Sequence, residues 1–351
     1  MNKQATKPAN RSMGMLLLKG RTFIALLILV IYFAFAAPNF TSWSSIVLMI
    51  KHSSIYGLLA IGMTLVIITG GIDLSVGAVV GLCGMVTGML MTRGIRLPFL
   101  DATIYPNVPL IMVISVLLAM LIGLLNGVLL ARLKIPAFIA TLGTMYVCRG
   151  FAMLSNGGAT FPNLIGSAEL GNLGFAKIGS AAIPGINVPY SIVVFIVVAA
   201  AAWFIMRATP LGNQIYAVGG NERAAKLSGI KTEKVKMFVY MFSGFCAAVC
   251  AAIVTSQLKA AHPATGESWE MNAIASVVLG GTSMSGGVGS IGGTIIGILV
   301  INVLNDGMTM MGVSSFWQMV IKGVVIIVAV IIDLVQKEME KKIALQQRSI
   351  S

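Results

Sequence analysis

Charge is scarce in this chain. Charged residues fill 10% of its 351 positions, and only eleven are acidic. Soluble domains carry about 25% charge, so a water-facing globular fold is excluded. Four cysteines, Cys83, Cys148, Cys246 and Cys250, all fall in apolar runs, and the two histidines, His52 and His262, lie far apart. Cys246 and Cys250 share a helix face, but no histidine accompanies them. Neither a metal centre nor a disulfide framework is supported, and the cysteines read as small buried hydrophobes. No phosphate-cradling Gly-x-x-x-x-Gly-Lys-Ser/Thr occurs, so the chain is not expected to hydrolyse nucleotides. With no nucleophile–base pair inside the apolar runs, a membrane enzyme is disfavoured as well. Four Trp and seven Tyr, mostly near run edges, offer no aromatic stacking platform.

Apolar sequence is what the chain has instead: 57% of residues are hydrophobic and the mean hydropathy is +0.94. Runs of the membrane-spanning length, about 20 residues, fit roughly ten times. They are placed near 22–38, 53–70, 74–92, 108–131, 136–154, 190–206, 237–257, 271–284, 289–306 and 316–334. The eighth is too short to span comfortably and reads as broken or re-entrant. The expected fold is an all-α polytopic membrane protein of about ten helices with both termini cytoplasmic. Residues 1–21 form a basic arm, 22–334 the transmembrane domain and 335–351 a cytoplasmic tail.

The formal charge of +13 follows this topology rather than nucleic-acid binding. Lys3, Lys7, Arg11, Lys19 and Arg21 precede the first run. Arg132 and Lys134 follow the fourth, six basic residues share the loop 207–236, and Lys337, Lys341, Lys342 and Arg348 follow the last. Alternation puts all 17 inside and leaves Lys51, Arg93, Arg96, Lys177 and Lys259 outside, as the positive-inside rule requires. Trp43, Trp269 and Trp317 then fall at the outer rim. The basic arm, the first run and Ala34-Phe35-Ala36 near its end together resemble a cleavable secretory signal. Removing that run would leave an odd number of spans, so an uncleaved first span is expected.

Gly70-Gly-Ile-Asp-Leu-Ser-Val-Gly77 interrupts two of these runs. An ionisable residue within a membrane segment marks a functional site by default, and clustered glycines mark a helix broken against protein or a watery cavity. Val278-Leu-Gly-Gly-Thr-Ser-Met-Ser-Gly-Gly287 echoes it in the second half. Two repeat halves, about 53–154 and 237–334, are therefore expected, with interrupted helices at matching positions around a transport pathway. Candidate pathway or gate residues are Gly70, Gly71, Asp73, Ser75, Gly77, Asn126, Thr141, Thr144, Gly280, Gly281 and Ser283. Arg149 and Lys322, basic residues inside runs, are the expected ion-pair partners of Asp73. Ser75 is expected to cap the following helix. Asn126, Thr141 and Thr144 suit a hydroxyl-rich cargo, although interhelical hydrogen bonds use the same residue types.

The motif Gly62-Met-Thr-Leu-Val-Ile-Ile-Thr-Gly-Gly-Ile-Asp-Leu-Ser-Val-Gly77 resembles the signature of the permease subunits of bacterial ABC sugar importers, most closely the ribose-type permeases. Further blocks follow in family order: Asn126-Gly127, Ile135–Thr144 with Arg149-Gly150, Thr209–Asn213, Ala217–Ile230, Ala273–Gly287, Trp317-Gln318 and Lys322-Gly323. They cover about residues 25 to 335. One departure is Glu270-Met-Asn-Ala273, where many relatives have Asp in place of Asn272.

The resemblance implies a permease that pairs with a second copy or a sister permease. It also implies a cytoplasmic ATP-binding subunit, a periplasmic sugar-binding protein, the inner membrane as location and no bound cofactor. Gly220, Asn221, Glu222, Ala224, Ala225 and Gly229 occupy the positions of the family's coupling helix, which seats in a groove on the ATPase. The competing readings are an ion-coupled secondary transporter and a channel for a small polar solute. Both would lack the ATPase.

Overall fold

The computed structural model describes residues 21–97, 101–185, 187–328 and 330–331. The basic arm before Arg21 and the tail from residue 332, with its lysines and Arg348, lie outside the described residues. Thirteen helices and one small hairpin follow in order among those described. They are α1 Arg21–Ala36, α2 Trp43–Ile68, α3 Val76–Thr92, β1 Ile95–Leu97, β2 Ala102–Ile104, α4 Val108–Ala131 and α5 Ala137–Leu154. Then come α6 Lys177–Ser180, α7 Tyr190–Ala208, α8 Pro210–Gly220, α9 Glu222–Leu227, α10 Thr232–Leu258, α11 Trp269–Leu279, α12 Ile291–Met310 and α13 Ser315–Val328. β1 and β2 pair antiparallel, Ile95 opposite Ile104.

Six helices, α2, α4, α5, α7, α10 and α12, are long and apolar enough to cross a membrane, and α1, α3, α11 and α13 are shorter apolar helices. Together they occupy the ten runs read from sequence. Long apolar runs take up helix because it satisfies its own backbone without water. Polar side chains set several starts: Ser42 accepts from Ser45 N–H, Asn107 from Leu110 N–H and Ser290 from Gly293 N–H. α10 is the centre of the assembly, packed chiefly on α4 and then on α2 and α3. Where α4 and α10 cross, a Cβ at Gly123 would strike Tyr240 O and one at Gly244 would strike Ala119 O, so the two backbones touch. The opposite face of α4 carries Leu110, Val113, Leu117, Leu121 and Leu125 outward.

Connections gather at two ends. At one, Arg93 reaches Ser155 O and Asn156, Asn172 donates to Met91 O, and Phe161 pairs with Ala261. At the other, Arg132 faces Glu233 at 3.9 Å and Lys236 meets Glu222 at 2.7 Å.

Two boundaries correct the sequence reading. α2 begins at Trp43 rather than 53, which carries Lys51 and His52 into the helix. The polar cluster Lys51–Ser54 ends the apolar run, but the helix continues because His52 Nδ1 lies 3.0 Å from the Asp306 carboxylate of α12. Residues 210–220, expected as loop, form α8, capped by Thr209 and started by Pro210. The eighth run holds only the 11-residue α11, about 16 Å of helix against a hydrocarbon thickness of about 30 Å.

The rest of the connection is a chain of turns. Residues 259–268, with Lys259, Gly266 and Ser268 at positive φ, run beside α3, and Trp269 packs edge-on against Tyr56, in the middle of α2. Trp43 and Trp317 are exposed. The segment lies in a groove made by small residues of α3. A Cβ at Gly77 would strike Gly266 O, and one at Gly81 would sit 2.7 Å from the Arg149 guanidinium and 2.8 Å from Thr265 O. Arg149 of α5 donates to Pro263 O and, at 3.0 Å, to Thr265 O. A substitution tests this groove. Gly81→Val is expected to lose about 1–3 kcal/mol through overpacking, read as a lower thermal unfolding midpoint in detergent. Gly143→Ala, where an added Cβ meets nothing, is expected not to lower it.

Candidate functional site

The interrupted motif starts where α2 ends. Gly70 takes φ +80°, its N–H bonds Ile67 O at 2.9 Å, and Gly71 N–H bonds Val66 O at 3.1 Å. This is the left-handed helix stop that favours glycine. The chain then runs irregularly through Ile72 and Asp73 until α3 starts at Val76.

Asp73 is 2% exposed, and three donors hold its carboxylate. Oδ1 accepts from Ser75 N–H at 3.0 Å and from Ser75 Oγ at 2.6 Å, while Oδ2 accepts from Ser243 Oγ of α10 at 2.9 Å. Ser75 Oγ in turn accepts from Asn126 Nδ2 of α4 at 3.0 Å, and Thr144 Oγ1 of α5 donates to Asn126 Oδ1 at 2.6 Å. The Ile72 carbonyl accepts from Tyr240 OH at 3.2 Å. Thr141 Oγ1 stands 3.3 Å from the same carbonyl but nearer, at 2.8 Å, to Ala137 O of its own helix. A continuous buried polar line thus joins α5, α4, the helix break and α10.

Four expected residues, Asp73, Ser75, Asn126 and Thr144, meet directly, with Thr141 beside them. Ser243 and Tyr240 were missed. Their signal was present as two hydroxyls three residues apart within the apolar run of α10.

The ion pair expected of Asp73 is not formed. Arg149 spends its donors on the Pro263 and Thr265 carbonyls, Lys322 sits half-buried on α13, and no ion pair to Asp73 occurs among the described residues. The hydroxyl and amide donors around Asp73 already occupy both its oxygens. Ser75 holds the capping position of α3 but makes no side-chain capping bond, because its hydroxyl is turned to Asp73. Gly77 belongs to the groove for residues 263–266.

The second motif repeats the helix stop one register later. Gly281 takes φ +85°, its N–H bonds Val278 O at 2.9 Å, and Thr282 N–H bonds Val277 O at 3.2 Å. Gly280 is therefore the counterpart of Thr69. Ser283 closes its own loop: its N–H donates to Val288 O at 2.9 Å and its Oγ accepts from Ser285 N–H at 3.2 Å. The two breaks touch where Gly287 N–H donates to Ile68 O at 2.8 Å.

Gly219 lies against the same Ile68 carbonyl, where a Cβ could not fit, and Tyr216 OH donates to Gly289 O at 2.8 Å. The segment 221–229 that follows is a short helix. Asn221 caps α9 by accepting from Ala224 N–H at 3.0 Å, and Gly229, at φ +85°, ends it. Its alanines do not share one outward face. Ala225 is buried against the subunit, whereas Ala224 is exposed and Leu227 is 90% exposed. A cavity of about 660 Å³ separates α9 from the Asp73 loop, with Gly70, Gly71 and Tyr240 at its inner end and Lys134, Arg223 and Lys226 among its walls.

Interrupted apolar helices around a buried polar break define a multi-pass helical membrane protein of the transport kind. Residues 45–330 match the family described as the permease component of the branched-chain amino acid transport system, and the chain belongs to that family. The ribose import permease protein RbsC of Haemophilus influenzae is 42% identical over 325 residues, covering 93% of this chain and 96% of the relative. RbsC of Bacillus subtilis is 41% identical over 311 residues, 89% and 91% of the two chains. The xylose transport system permease protein XylH of Haemophilus influenzae is 31% identical over 368 residues, covering 90% and 96%. No solved structure matches.

The polar line makes a checkable energetic claim. Asn126→Leu removes two buried hydrogen bonds, leaving Ser75 Oγ only Asp73 and Thr144 Oγ1 only Ala140 O, and is expected to cost about 1–3 kcal/mol. Combining it with Thr144→Val is expected to cost less than the two singles summed, as thermal unfolding in detergent would read.

Proposed function

We propose that this chain is the membrane-spanning permease subunit of an ATP-driven importer of ribose-like monosaccharides in a bacterial inner membrane. Ten apolar helices cross the bilayer with both termini in the cytoplasm. A second copy or a sister permease completes the pathway, a cytoplasmic ATP-binding subunit powers it, and a periplasmic binding protein delivers the sugar. The observation that carries this reading is α9, a capped helix displayed beside the cavity that opens below the Asp73 loop. Its exposed Ala224 and Leu227 give an ATPase groove something to grip. The sugar is supported by the ribose import and xylose transport permeases that align over about nine-tenths of the chain.

Asp73 serves in this reading as the anchor of the gate rather than a cargo ligand, since three donors already occupy its oxygens. Ile68 to Ser75 is the gate segment, and the cavity beneath it is the cytoplasmic mouth. Asn126, Thr141 and Thr144 belong to the frame of the gate. The second break, at Gly280, Gly281 and Ser283, braces the first through Gly287 and Ile68.

The second reading is an ion-coupled transporter, and one observation favours it. His52 and Asp306 form a protonatable pair between membrane helices. Uptake of labelled ribose decides between the two. Proteoliposomes would hold this chain, the ATPase and the binding protein, with ion gradients collapsed. Uptake is expected to require both ATP and binding protein; uptake of a sugar that followed an ion gradient without ATP would replace the importer reading. Asp73→Asn is expected to lower uptake on the order of tenfold, the equivalent of one charge-assisted hydrogen bond, while sugar-loaded binding protein still docks. Normal uptake would reduce Asp73 to tolerated packing.

A further inference from the structure

Glu222 is the acidic residue at the start of α9, and its half-exposed side chain reaches α10. Its Oε2 lies 2.7 Å from Lys236 Nζ, and the Lys236 side chain is only 19% exposed. Lys236 stands on α10, four residues before Tyr240 and seven before Ser243. These intervals put all three on one helical face. Each member of that face holds a different element. Lys236 holds α9 through Glu222, Tyr240 OH holds the Ile72 carbonyl and Ser243 Oγ holds Asp73 Oδ2.

The cavity below the Asp73 loop explains why this row matters. Gly70 and Gly71 form one wall, Glu222, Arg223 and Lys226 another, and Thr232, Glu233, Lys236 and Tyr240 of α10 join the two. The other bridge between these regions is the junction at Ile68, where Gly219 and Gly287 meet the end of α2. The gate segment is therefore tied at Ile68 to the base of α9 and at Ile72 and Asp73 to α10. Between those ties Gly70 has no neighbour within contact distance of an added Cβ.

We propose that the Lys236–Tyr240–Ser243 face of α10 is the mechanical link that carries displacement of α9 to the gate. Glu222 acts inward on Lys236 and not on the ATPase. The three α10 residues and Glu222 are positioning residues: they touch neither nucleotide nor sugar. α10 suits the task because its backbone is wedged against α4 at Gly123 and Gly244, so it moves as a body rather than bending between its attachment points. This inference rests on the importer reading above.

A charge swap separates the two roles of Glu222. The reconstituted importer, with its ATPase and binding protein, would be measured for ATP hydrolysed per ribose imported. Glu222→Lys and Lys236→Glu are each expected to raise that ratio at least about fivefold while the ATPase still co-purifies. The double variant Glu222→Lys/Lys236→Glu is expected to return the ratio to within about twofold of wild type. A double variant as poorly coupled as Glu222→Lys alone, or loss of the ATPase from that single variant, would overturn the link. Tyr240→Phe keeps the ring and removes only the bond to Ile72, so it serves where charge reversal disturbs folding. It is expected to raise the ratio with an unchanged thermal midpoint, and a wild-type ratio would likewise overturn the link. ATP-independent uptake by the wild-type assembly would instead refute the importer reading itself.

Discussion

A peptide group that leaves a helix inside hydrocarbon must find its hydrogen bond in protein, and the rest of this structure is arranged around that demand. The chain leaves helical form between apolar helices at residues 69–75, 259–268 and 280–290, and polar side chains serve its backbone at the first two. Arg149 serves the carbonyls of Pro263 and Thr265, Tyr240 serves that of Ile72, and Asp73 takes the N–H of Ser75. Glycines do the complementary work. They line the surfaces on which a connecting loop or a crossing helix lies, because backbone donors and acceptors serve a neighbour only at close approach.

That demand also explains what could be read from the sequence. Asp73, Ser75, Asn126 and Thr144 stood out as polar residues in apolar runs, and they do assemble. The family blocks and the short helix at Glu222–Leu227 were legible for the same reason, as local patterns of residue type. The partner of Arg149 was not legible. A guanidinium in a membrane segment invites a search for a carboxylate, yet its acceptors are backbone carbonyls, which leave no trace in residue identity. The contact of Trp269 with Tyr56 was equally illegible, because the two residues lie far apart in sequence. Lys51 and His52 interrupted an apolar run without interrupting the helix, since the compensating Asp306 lies 254 residues away.

Energetically the polar line is a closed set. Asp73 has three donors, Ser75 gives one bond and takes one, and Asn126 uses both ends of its amide. A fully satisfied network in a low-dielectric interior is rigid, and a partly satisfied one is costly. Opening the break therefore means moving the carriers together, which are α10, α4 and the loop, rather than pulling one bond at a time. Tight backbone contact between α4 and α10 favours such movement as a unit.

The two glycine motifs share a helix stop but not an anchoring scheme, and the difference assigns them unequal roles. After Gly281 the loop folds on itself, Ser283 bonding Val288 and accepting from Ser285. Its shape is set by its own residues. After Gly70 the chain also closes on itself, Asp73 Oδ1 accepting from Ser75 N–H and Oγ, but Asp73 Oδ2 and the Ile72 carbonyl take further donors from α10. The first loop is thus tied to α10, and the second to Ile68 of α2 and, through Tyr216, to α8. The carboxylate accounts for the difference. Asp73 has acceptor capacity beyond its own turn and takes a donor from α10, whereas the Ser283 hydroxyl serves its own turn.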